Sequence, residues 1–409
     1  MIFGMAQTPP NSSSPSFPSN PQTTLNNKEK FLRLKPTKLK MAFSKRLIFS
    51  MIFTVFAIVK PSDAALDAHY YDRSCPVAEK IILETVKNAT LYDPKVPARL
   101  LRMFFHDCFI RGCDGSILLD STKSTQAEKD GPPNISVRSF YVIEDAKRKL
   151  EKACPRTVSC ADVIAIAARD VVTLSGGPYW NVLKGRKDGT ISQANETINL
   201  PAPTFNVSQL IQSFAARGLS VKDMVTLSGG HTIGFSHCSS FEARLQNFSK
   251  FHDVDPSMNF AFAQSLKNKC PRSKNRGKNA GTVLDSTATV FDNDYYKQIL
   301  SRKGVFGSDQ ALLGDYRTKW IVETFARDQE AFFREFATSM VKLGNFGVKE
   351  TGQWIKGATG EETPLDMAYD VPEWMAPEVM RDEQSNEKSD VYSFGGHLVG
   401  ACYIAATMG

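Results

Sequence analysis

The stretch LRMFFHDCFIRGCDGS, residues 101–116, crowds a histidine, two aspartates and two cysteines behind the apolar pair Phe104-Phe105. Arg102 and His106 lie four residues apart, so on a helix both side chains project from one face. An imidazole beside a guanidinium is a general base next to a permanent cation. That pair suits a substrate that loses a proton while a neighbouring bond is polarised. A buried helix with an incidental charged pair is the alternative.

The second half of the stretch has the composition of a calcium loop. Hard oxygen donors alternate there with glycine, which permits a tight turn. The donors are the side chains of Asp107, Asp114 and Ser116 and the backbone carbonyls of Ile110 and Gly112. Cys108 and Cys113 bracket the loop, and a ring this short would mainly hold its geometry. An ordinary acidic turn is the alternative.

Composition favours a large folded domain. The chain has 409 residues, of which 42% are hydrophobic and 10% aromatic, enough for a substantial core. The net charge of +7 is unevenly distributed: subtracting Asp and Glu from Lys and Arg leaves +8 for residues 66–356, while residues 357–409 are acidic. The basic residues form no run interleaved with aromatics, so we expect no nucleic-acid partner.

Residues 41–64 are typical of a secretory signal. Lys45 and Arg46 precede an apolar segment, 47–59, and Ser62-Asp63-Ala64 resembles a cleavage site. The segment is short for a membrane span, although a retained signal anchor is an alternative. Residues 1–40 are rich in Pro, Ser and Asn. We expect them to be a disordered extension, with Met41 as the working start.

From about 66 to 345, apolar residues recur at helical spacing, which predicts a mainly α domain over 65–356. The clearest helical segments are 78–86, 98–108, 142–154, 161–171 and 325–343. The eight cysteines, at 75, 108, 113, 154, 160, 238, 270 and 402, lack zinc-ligand spacing. Behind a signal peptide they predict disulfides rather than free thiols. Glycosylation sequons begin at Asn88, Asn195, Asn206 and Asn247.

The opening stretch also carries a family resemblance. R-x-F-F-H-D-C-F-x-x-G-C-D-G-S is similar to the distal haem motif of plant secretory (class III) haem peroxidases. Residues 227–234, LSGGHTIG, resemble the proximal haem-ligand motif of that family, and the similarity runs from about 66 to 353. The resemblance implies a mainly α haem peroxidase fold, with the haem held between distal (N-terminal) and proximal (C-terminal) helical halves.

The resemblance also implies a reaction and its residues. The enzyme would reduce hydrogen peroxide and oxidise small phenolic donors by one-electron steps, with haem b and two calcium ions as cofactors. His231 would be the axial iron ligand, and Asp309 would accept its other ring N–H. His106 would move the peroxide proton, Arg102 would stabilise the developing charge, and Asn134 would hold His106 in its tautomer. Phe105 would pack over the haem, and Pro201 would line the approach of the donor.

Asn134 has two conflicting interpretations. It begins the sequon Asn-Ile-Ser, yet a buried role beside His106 excludes a glycan. We favour the buried role.

Calcium ligands, disulfides and one ion pair are likewise implied by the resemblance. The first calcium site would use the loop donors named above, with Glu128 linking them to Asn134. The second site would use Thr232, Asp285, Thr287, Val290 through its carbonyl, and Asp292, although the two aspartates are one residue closer than is usual in the family. The implied disulfides are Cys75–Cys154, Cys108–Cys113 and Cys238–Cys270. Asp162 and Arg186 resemble the buried ion pair of the family, whose role is structural.

The C-terminal region departs from the family. The similarity ends near Gln353, before the cysteine that would pair with Cys160. Cys402 is a possible substitute, but we expect Cys160 to be unpaired. Residues 357–409 include VPEWMAPEVMRDEQSNEKSDVYSFGG, which resembles the A-P-E segment of a protein kinase and its following helix. The phosphate-binding loop and catalytic loop of kinases are missing, so we expect a truncated tail without kinase activity.

Three functions therefore remain open. The leading hypothesis is a secreted peroxidase of the cell wall or vacuole, monomeric, without a membrane partner after signal cleavage, and retained on acidic wall polysaccharide. The second is a catalytically impaired haem- and calcium-binding remnant, damaged by its replaced C-terminus. A kinase-related signalling fusion is the third and would need motifs that the sequence lacks.

Overall fold

The computed structural model describes residues 66–271 and 280–348, and eleven α-helices lie in these two ranges. The first six are α1 (Ala78–Tyr92), α2 (Val96–Arg111), α3 (Phe140–Ala153), α4 (Cys160–Leu174), α5 (Val207–Ala215) and α6 (Val221–Ser228). The other five are α7 (Phe260–Lys269), α8 (Asp294–Leu300), α9 (Gly307–Gly314), α10 (Tyr316–Arg327) and α11 (Gln329–Gly344). The predicted mainly α fold is confirmed.

Helix α2, which carries Arg102 and His106, packs against α4 in the centre of the N-terminal half. Pro97 lies in its first turn, where its missing N–H breaks no helical hydrogen bond. Nearly every side chain of α4 is buried. The first turn of α4 is fixed by oxygen acceptors: Ser159 Oγ accepts from Asp162 N at 3.1 Å, and Asp188 accepts from Cys160 N at 3.0 Å.

The C-terminal half is built around buried aromatic rings. Tyr296 of α8 contacts Phe332 of α11 at 5.0 Å between ring centroids and Phe325 of α10 at 5.2 Å. Phe332 also lies edge-on to Phe336, one turn further along α11. Edge-to-face packing of this kind stabilises a core beyond the area that it buries. These contacts join α8, α10 and α11 into one layer.

One segment that was predicted as a single helix forms parts of two helices, α10 and α11. The expected helix over 325–343 is interrupted at Asp328, whose backbone is extended, with φ −126° and ψ 97°. Asp328 closes α10 with its N–H, which donates to Thr324 O at 2.9 Å, and opens α11 with its carboxylate, which accepts from Ala331 N at 2.9 Å. A local aspartate cap therefore overrides the continuous apolar pattern.

A small second core lies beneath a two-stranded antiparallel ribbon. Strand β1 (Phe235–His237) pairs with β2 (Gly281–Val283), with Ser236 opposite Thr282. Buried residues of the 238–270 segment, among them Phe241 and Leu266, form this separate cluster. The disulfide between Cys238 and Cys270 joins its two ends.

The structure contains the three disulfides that the resemblance implies: Cys75–Cys154, Cys108–Cys113 and Cys238–Cys270. In the chain-entropy model, closing loops of 79 and 32 residues contributes on the order of 3–5 kcal/mol each. Cys160 is also disulfide-bonded and 1% exposed, so the expectation that it is unpaired is wrong. Its partner lies outside the described residues.

The end of α11 is fastened to the N-terminal half. The guanidinium of Arg186 pairs with Asp162 at 2.9 Å and donates to Gly344 O at 2.7 and 3.1 Å. Beyond this point Gly347 lies against Gly112, where a Cβ would be 2.5 Å from the Gly347 carbonyl oxygen. Gly112 also has φ 102°, so two independent constraints require glycine there.

The predicted extension (1–40), signal (41–64) and kinase-like tail (357–409) lie outside the described residues. In 66–271 and 280–348, no helix is both long and apolar enough to cross a membrane. The domain boundaries predicted from the sequence stay predictions.

Ser139, which precedes α3, is held in an unfavourable conformation. Its φ of 69° and ψ of 26° are left-handed, a region in which a Cβ costs roughly 1–2 kcal/mol. The residue is 2% exposed, and its hydroxyl has no hydrogen-bond partner among the described residues. A buried hydroxyl without a partner also costs stability.

We therefore predict that Ser139→Gly stabilises the protein by about 1 kcal/mol. The relief of backbone strain and of the buried hydroxyl exceeds the roughly 0.5–1 kcal/mol lost to glycine flexibility in the unfolded chain. Urea unfolding followed by circular dichroism measures the difference. Ser139→Ala removes only the hydroxyl and should gain less, while a glycine variant no more stable than the wild type would contradict the proposed strain.

Candidate functional site

Helix α2 positions Arg102 and His106 on one side of the site. His106 is 9% exposed, and its Nδ1 lies 2.5 Å from Asn134 Oδ1. Asn134 is itself buried, and its Nδ2 donates to the backbone carbonyl of Glu128 at 2.9 Å. A backbone carbonyl only accepts, so the amide must present its Nδ2 to Glu128 and its Oδ1 to His106.

This orientation decides the tautomer of His106. An amide oxygen accepts, so Nδ1 of His106 carries the hydrogen and Nε2 keeps a lone pair. Burial, then the Arg102 guanidinium and, least, His231 lower the pKa of His106 to about 3, against the opposing effect of the Asn134 hydrogen bond. The imidazole is thus neutral, with Nε2 as a proton acceptor.

Arg102 supplies the cation of this side. Its Nη2 donates to the carbonyl of Pro133 at 2.8 Å, which orients the guanidinium. Burial and, next, the nearby Arg138 lower the pKa of Arg102 to about 10, so it stays charged at neutral pH. Arg102 makes no ion pair with the residues that the structure describes, which leaves its charge available to a bound molecule.

His231 and Asp309 form the opposite side. His231 lies in the 3₁₀ turn Gly229–Thr232 that follows α6, and Asp309 lies in the first turn of α9. His231 Nδ1 is 2.9 Å from Asp309 Oδ1. The carboxylate accepts this hydrogen, so Nε2 of His231 also keeps its lone pair. Asp309 accepts two more hydrogen bonds, from Tyr295 OH at 2.9 Å and from Phe306 N at 3.2 Å.

The donor set fits a haem between the two sides. Each imidazole is tied at Nδ1 by an oxygen, and in 66–271 and 280–348 neither Nε2 has a hydrogen-bond partner. The side chain of His231 is 43% exposed, whereas its partner Asp309 is buried. Neutral imidazole nitrogen backed by a carboxylate is the donor that binds haem iron in peroxidases. The two sides are adjacent: a Cβ on Gly230 would be 3.6 Å from Leu101.

Phe105 and Pro201 have different surroundings. Phe105 is partly buried and stacks on Phe109 at 4.2 Å, with its ring 6.2 Å from that of His106. Pro201 is also partly buried, and it precedes Pro203, whose carbonyl accepts from Ser308 N at 2.9 Å. The segment with Pro201 is therefore joined to the helix that carries Asp309.

The first predicted calcium loop has three buried carboxylates. Asp107, Asp114 and Glu128 are each 0–1% exposed. Ser116 Oγ is 3.1 Å from Glu128 Oε1, whereas Glu128 Oε2 has no hydrogen-bond partner among the described residues. Burial and, next, Asp114 raise the pKa of Glu128 to about 8, and the same two causes raise the pKa of Asp107. Buried like charges of this kind call for a cation or for protons.

The loop also uses backbone donors. Gly115 N donates to Asp107 Oδ2 at 3.0 Å, and Ile117 N donates to Oδ1 at 3.4 Å. Ile110 and Gly112, the predicted carbonyl ligands, are the last buried residue of α2 and the residue that ends it. The Cys108–Cys113 disulfide closes the same turn.

The second predicted calcium set is gathered by the turn that precedes α8. Thr232 Oγ1 lies 2.6 Å from Asp285 Oδ2 and 3.1 Å from Asp292 Oδ1. Thr287 Oγ1 lies 3.1 Å from the same Asp292 oxygen, and Val290 N donates to Thr287 O at 2.6 Å. Burial raises the pKa of Asp285 to about 6. The shortened aspartate spacing still brings these residues together.

No set of three or more His, Cys, Asp or Glu side chains is arranged as a metal cluster in the described part of the chain. A calcium site at either loop would therefore depend on hydroxyl and carbonyl oxygens as well as on carboxylates, as calcium permits. The ligand assignments stay predictions.

Three contributors were absent from the sequence analysis. Pro133 orients Arg102 through its carbonyl, Ser192 accepts from Glu128 N at 2.9 Å, and Tyr295 donates to Asp309. Backbone carbonyls and long-range hydroxyl contacts have no local sequence pattern. The only sequence signal at Tyr295 is that it is one of two adjacent tyrosines at the start of a helix.

This arrangement on a mainly helical fold defines a haem peroxidase: a neutral imidazole with a guanidinium on one side, and a carboxylate-bonded imidazole on the other. The Peroxidase family model matches residues 82–328. Peroxidase 66 of Arabidopsis thaliana is 90% identical over 313 residues, which cover 76% of this chain and 97% of that protein. Peroxidase 64 of the same plant is 54% identical, covering 73% of this chain and 94% of that protein. Peroxidase 1 of Oryza sativa subsp. japonica is 44% identical, covering 78% and 97%. The chain belongs to the class III plant peroxidases.

A second family model, that of protein tyrosine and serine/threonine kinases, matches residues 334–406. Its first part falls in α11, where Phe336, Met340 and Leu343 are buried in the peroxidase core. Residues 334–344 are thus structurally part of the peroxidase fold. The remainder of the match lies almost entirely outside the described residues.

The burial of Asn134 predicts that its sequon carries no glycan. Both polar atoms of the amide are occupied, while Asn88, Asn195, Asn206 and Asn247 are exposed. We expect enzymatic deglycosylation in heavy-oxygen water to label none of the Asn134 peptide. Ser136 is exposed, so Ser136→Ala should remove the sequon without changing the glycan content or the peroxide turnover of the protein. Label at Asn134 would refute its buried role.

Proposed function

We propose that Arg102, His106 and Asn134 carry out peroxide cleavage in a secreted class III peroxidase. The observation that carries the proposal is the tie between His106 and Asn134, which leaves Nε2 of His106 as a fixed proton acceptor. His231 would hold haem b through Nε2, and the bound haem would supply the redox chemistry that peroxide cleavage needs. The roles of the protein side chains follow from their positions.

His106 moves one proton within the bound peroxide. Its Nε2 accepts the proton from one peroxide oxygen, the one that is retained. It then returns this proton to the other oxygen, which departs as water. Arg102 stabilises the negative charge that develops on the departing oxygen, because its guanidinium is charged and has no carboxylate partner among the described residues. Two donors then each lose one electron and one proton. The balance is one hydrogen peroxide and two donors to two waters and two donor radicals.

We assign the donors to small phenols. The partly buried ring of Phe105 and the prolines around Pro201 would offer an apolar edge for an aromatic ring. Their contact with the donor is part of the proposal, and the family resemblance carries the phenolic class.

Two calcium ions complete the proposed enzyme. The first would bind at Asp107, Ile110, Gly112, Asp114 and Ser116, with Glu128 beside it. The second would bind at Thr232, Asp285, Thr287, Val290 and Asp292. The unpartnered Glu128 Oε2 and the three buried carboxylates support a cation at the first loop.

The proposed site of action is the cell wall. The net +8 of residues 66–356 favours retention on acidic polysaccharide. We expect the protein to elute from immobilised polygalacturonate only at higher salt than a neutral protein of its size. Elution at the same salt would contradict wall retention.

The base assignment is tested by His106→Leu. Without Nε2 the proton transfer is lost, so we expect the reaction with peroxide to slow by about two to four orders of magnitude. A retained Soret band would show that haem still binds, and stopped-flow absorbance measures the rate. The exposed His252→Leu is the matched control and should react at the wild-type rate.

Two results would change the proposal. A near-normal rate in His106→Leu would refute the role of that residue. Haem incorporation by the unmodified full chain without peroxide turnover would instead support the impaired remnant, the second function considered from the sequence.

Calcium is tested by chelation. Removing a cation from three buried carboxylates should lower the melting temperature by roughly 5–10 °C, and added calcium should restore it. Glu128→Gln removes one of the repelling charges and should lessen the response to the chelator. The exposed Asp72→Asn should not. A melting temperature that is indifferent to chelator in the full-length protein would contradict the calcium assignment.

A further inference from the structure

Asp309 is shared between two side chains. Its Oδ1 accepts from His231 Nδ1 and from Tyr295 OH, each at 2.9 Å, while Oδ2 accepts from Phe306 N at 3.2 Å. Asp309 is 3% exposed and forms no ion pair with Lys or Arg among the described residues. Its negative charge is therefore balanced by these hydrogen bonds.

Tyr295 is built into this position. It lies in α8, is 2% exposed, and its ring is edge-on to that of His231 with centroids 6.1 Å apart. Burial and the Asp309 charge raise the pKa of Tyr295, so the phenol keeps its proton and stays a donor.

We propose that Tyr295 is a positioning residue that weakens the pull of Asp309 on the His231 proton and so sets the ligand strength of His231. The proposal rests on the proposed role of His231 as the axial iron ligand. It adds Tyr295 to the pair of His231 and Asp309, although Tyr295 touches neither the ligating atom nor the substrate.

The physical reason is competition at one oxygen. A carboxylate oxygen that already accepts a hydrogen bond is a poorer acceptor for a second donor. The Tyr295 hydroxyl thus lowers the proton affinity of Oδ1, and the His231 Nδ1–H stays more with the imidazole. Without the phenol, the carboxylate draws that proton more strongly, the imidazole gains anionic character, and ferric iron is favoured over ferrous.

Tyr296 provides an internal comparison. It is the next residue of the same helix and is equally buried, but its hydroxyl donates to the backbone carbonyl of Val225 at 3.0 Å. Removing that hydroxyl costs a buried hydrogen bond without touching Asp309. Comparing variants of the two tyrosines therefore distinguishes an effect on the proposed axial ligand from an effect on packing.

The first test measures the ferric–ferrous equilibrium of the haem-loaded enzyme by spectroelectrochemistry. In Tyr295→Phe we expect the ratio of ferric to ferrous iron at a given potential to rise about fivefold, the change expected from one neutral hydrogen bond. At 59 mV per tenfold this is a shift of about −40 mV. Tyr296→Phe should leave the potential unchanged. Equal shifts in both variants, or none in Tyr295→Phe, would overturn the proposal.

The second test reads the iron–histidine bond directly. Resonance Raman of the ferrous enzyme should show the iron–histidine stretch at higher frequency in Tyr295→Phe than in the wild type. Replacing Tyr295 with 3-fluorotyrosine, a stronger donor of the same shape, should move frequency and potential in the opposite direction. Shifts of the same sign in both variants would contradict competition at Oδ1.

The axial role itself is checked separately. His231→Ala should abolish the iron–histidine band, and a band that persists would refute the proposed function rather than the role of Tyr295. A band that depends on His231 but does not respond to Tyr295→Phe would refute the role of Tyr295 alone.

Discussion

The orientation of one buried amide controls the chemistry of the distal side. Asn134 can offer its oxygen to His106 only because its nitrogen is already bonded to the Glu128 carbonyl. Rotating the amide would set two acceptors against each other at Glu128 and two donors at His106. Glu128 belongs to the acidic loop through the contact of its side chain with Ser116. The protonation pattern of the proposed base and the geometry of the proposed calcium loop are thus parts of one hydrogen-bonded chain.

On the proximal side, the tautomer of the histidine is fixed by a charged carboxylate instead of a neutral amide. Asp309 fixes the tautomer of His231 as Asn134 fixes that of His106, but a carboxylate also pulls on the proton that it accepts. The two imidazoles are therefore made unequal by their partners: Asn134 is a poor proton acceptor and leaves the proposed base His106 neutral, whereas Asp309 is a strong acceptor and would make His231 a stronger ligand in its proposed role. Tyr295 moderates the second effect because it occupies the same oxygen.

The sequence predicts these features to different extents. Four of the five expected helices start within two residues of their observed first turns, since apolar spacing and buried faces agree there. The break at Asp328 was missed because Phe325, Phe332 and Phe336 continue the apolar pattern across it. Arg102 and His106 follow from four-residue spacing, and His231 from its motif. Tyr295 meets Asp309 only after α8 and α9 have packed, so no local pattern could reveal it.

The turn after α11 connects the C-terminal region to the distal loop. Phe346 O accepts from Cys113 N at 3.2 Å, and Gly347 lies against Gly112 with no room for a Cβ on either residue. Arg186 holds the preceding Gly344 carbonyl from the buried side. The loop that begins one residue after α2 is therefore clamped by residues 343–347. The kinase-like similarity begins at residue 334, yet residues 334–347 pack in the peroxidase fold and contact the distal loop. Whatever follows residue 348 is thus attached to the protein next to the loop on which the orientation of Asn134, and through it the proposed base, depends.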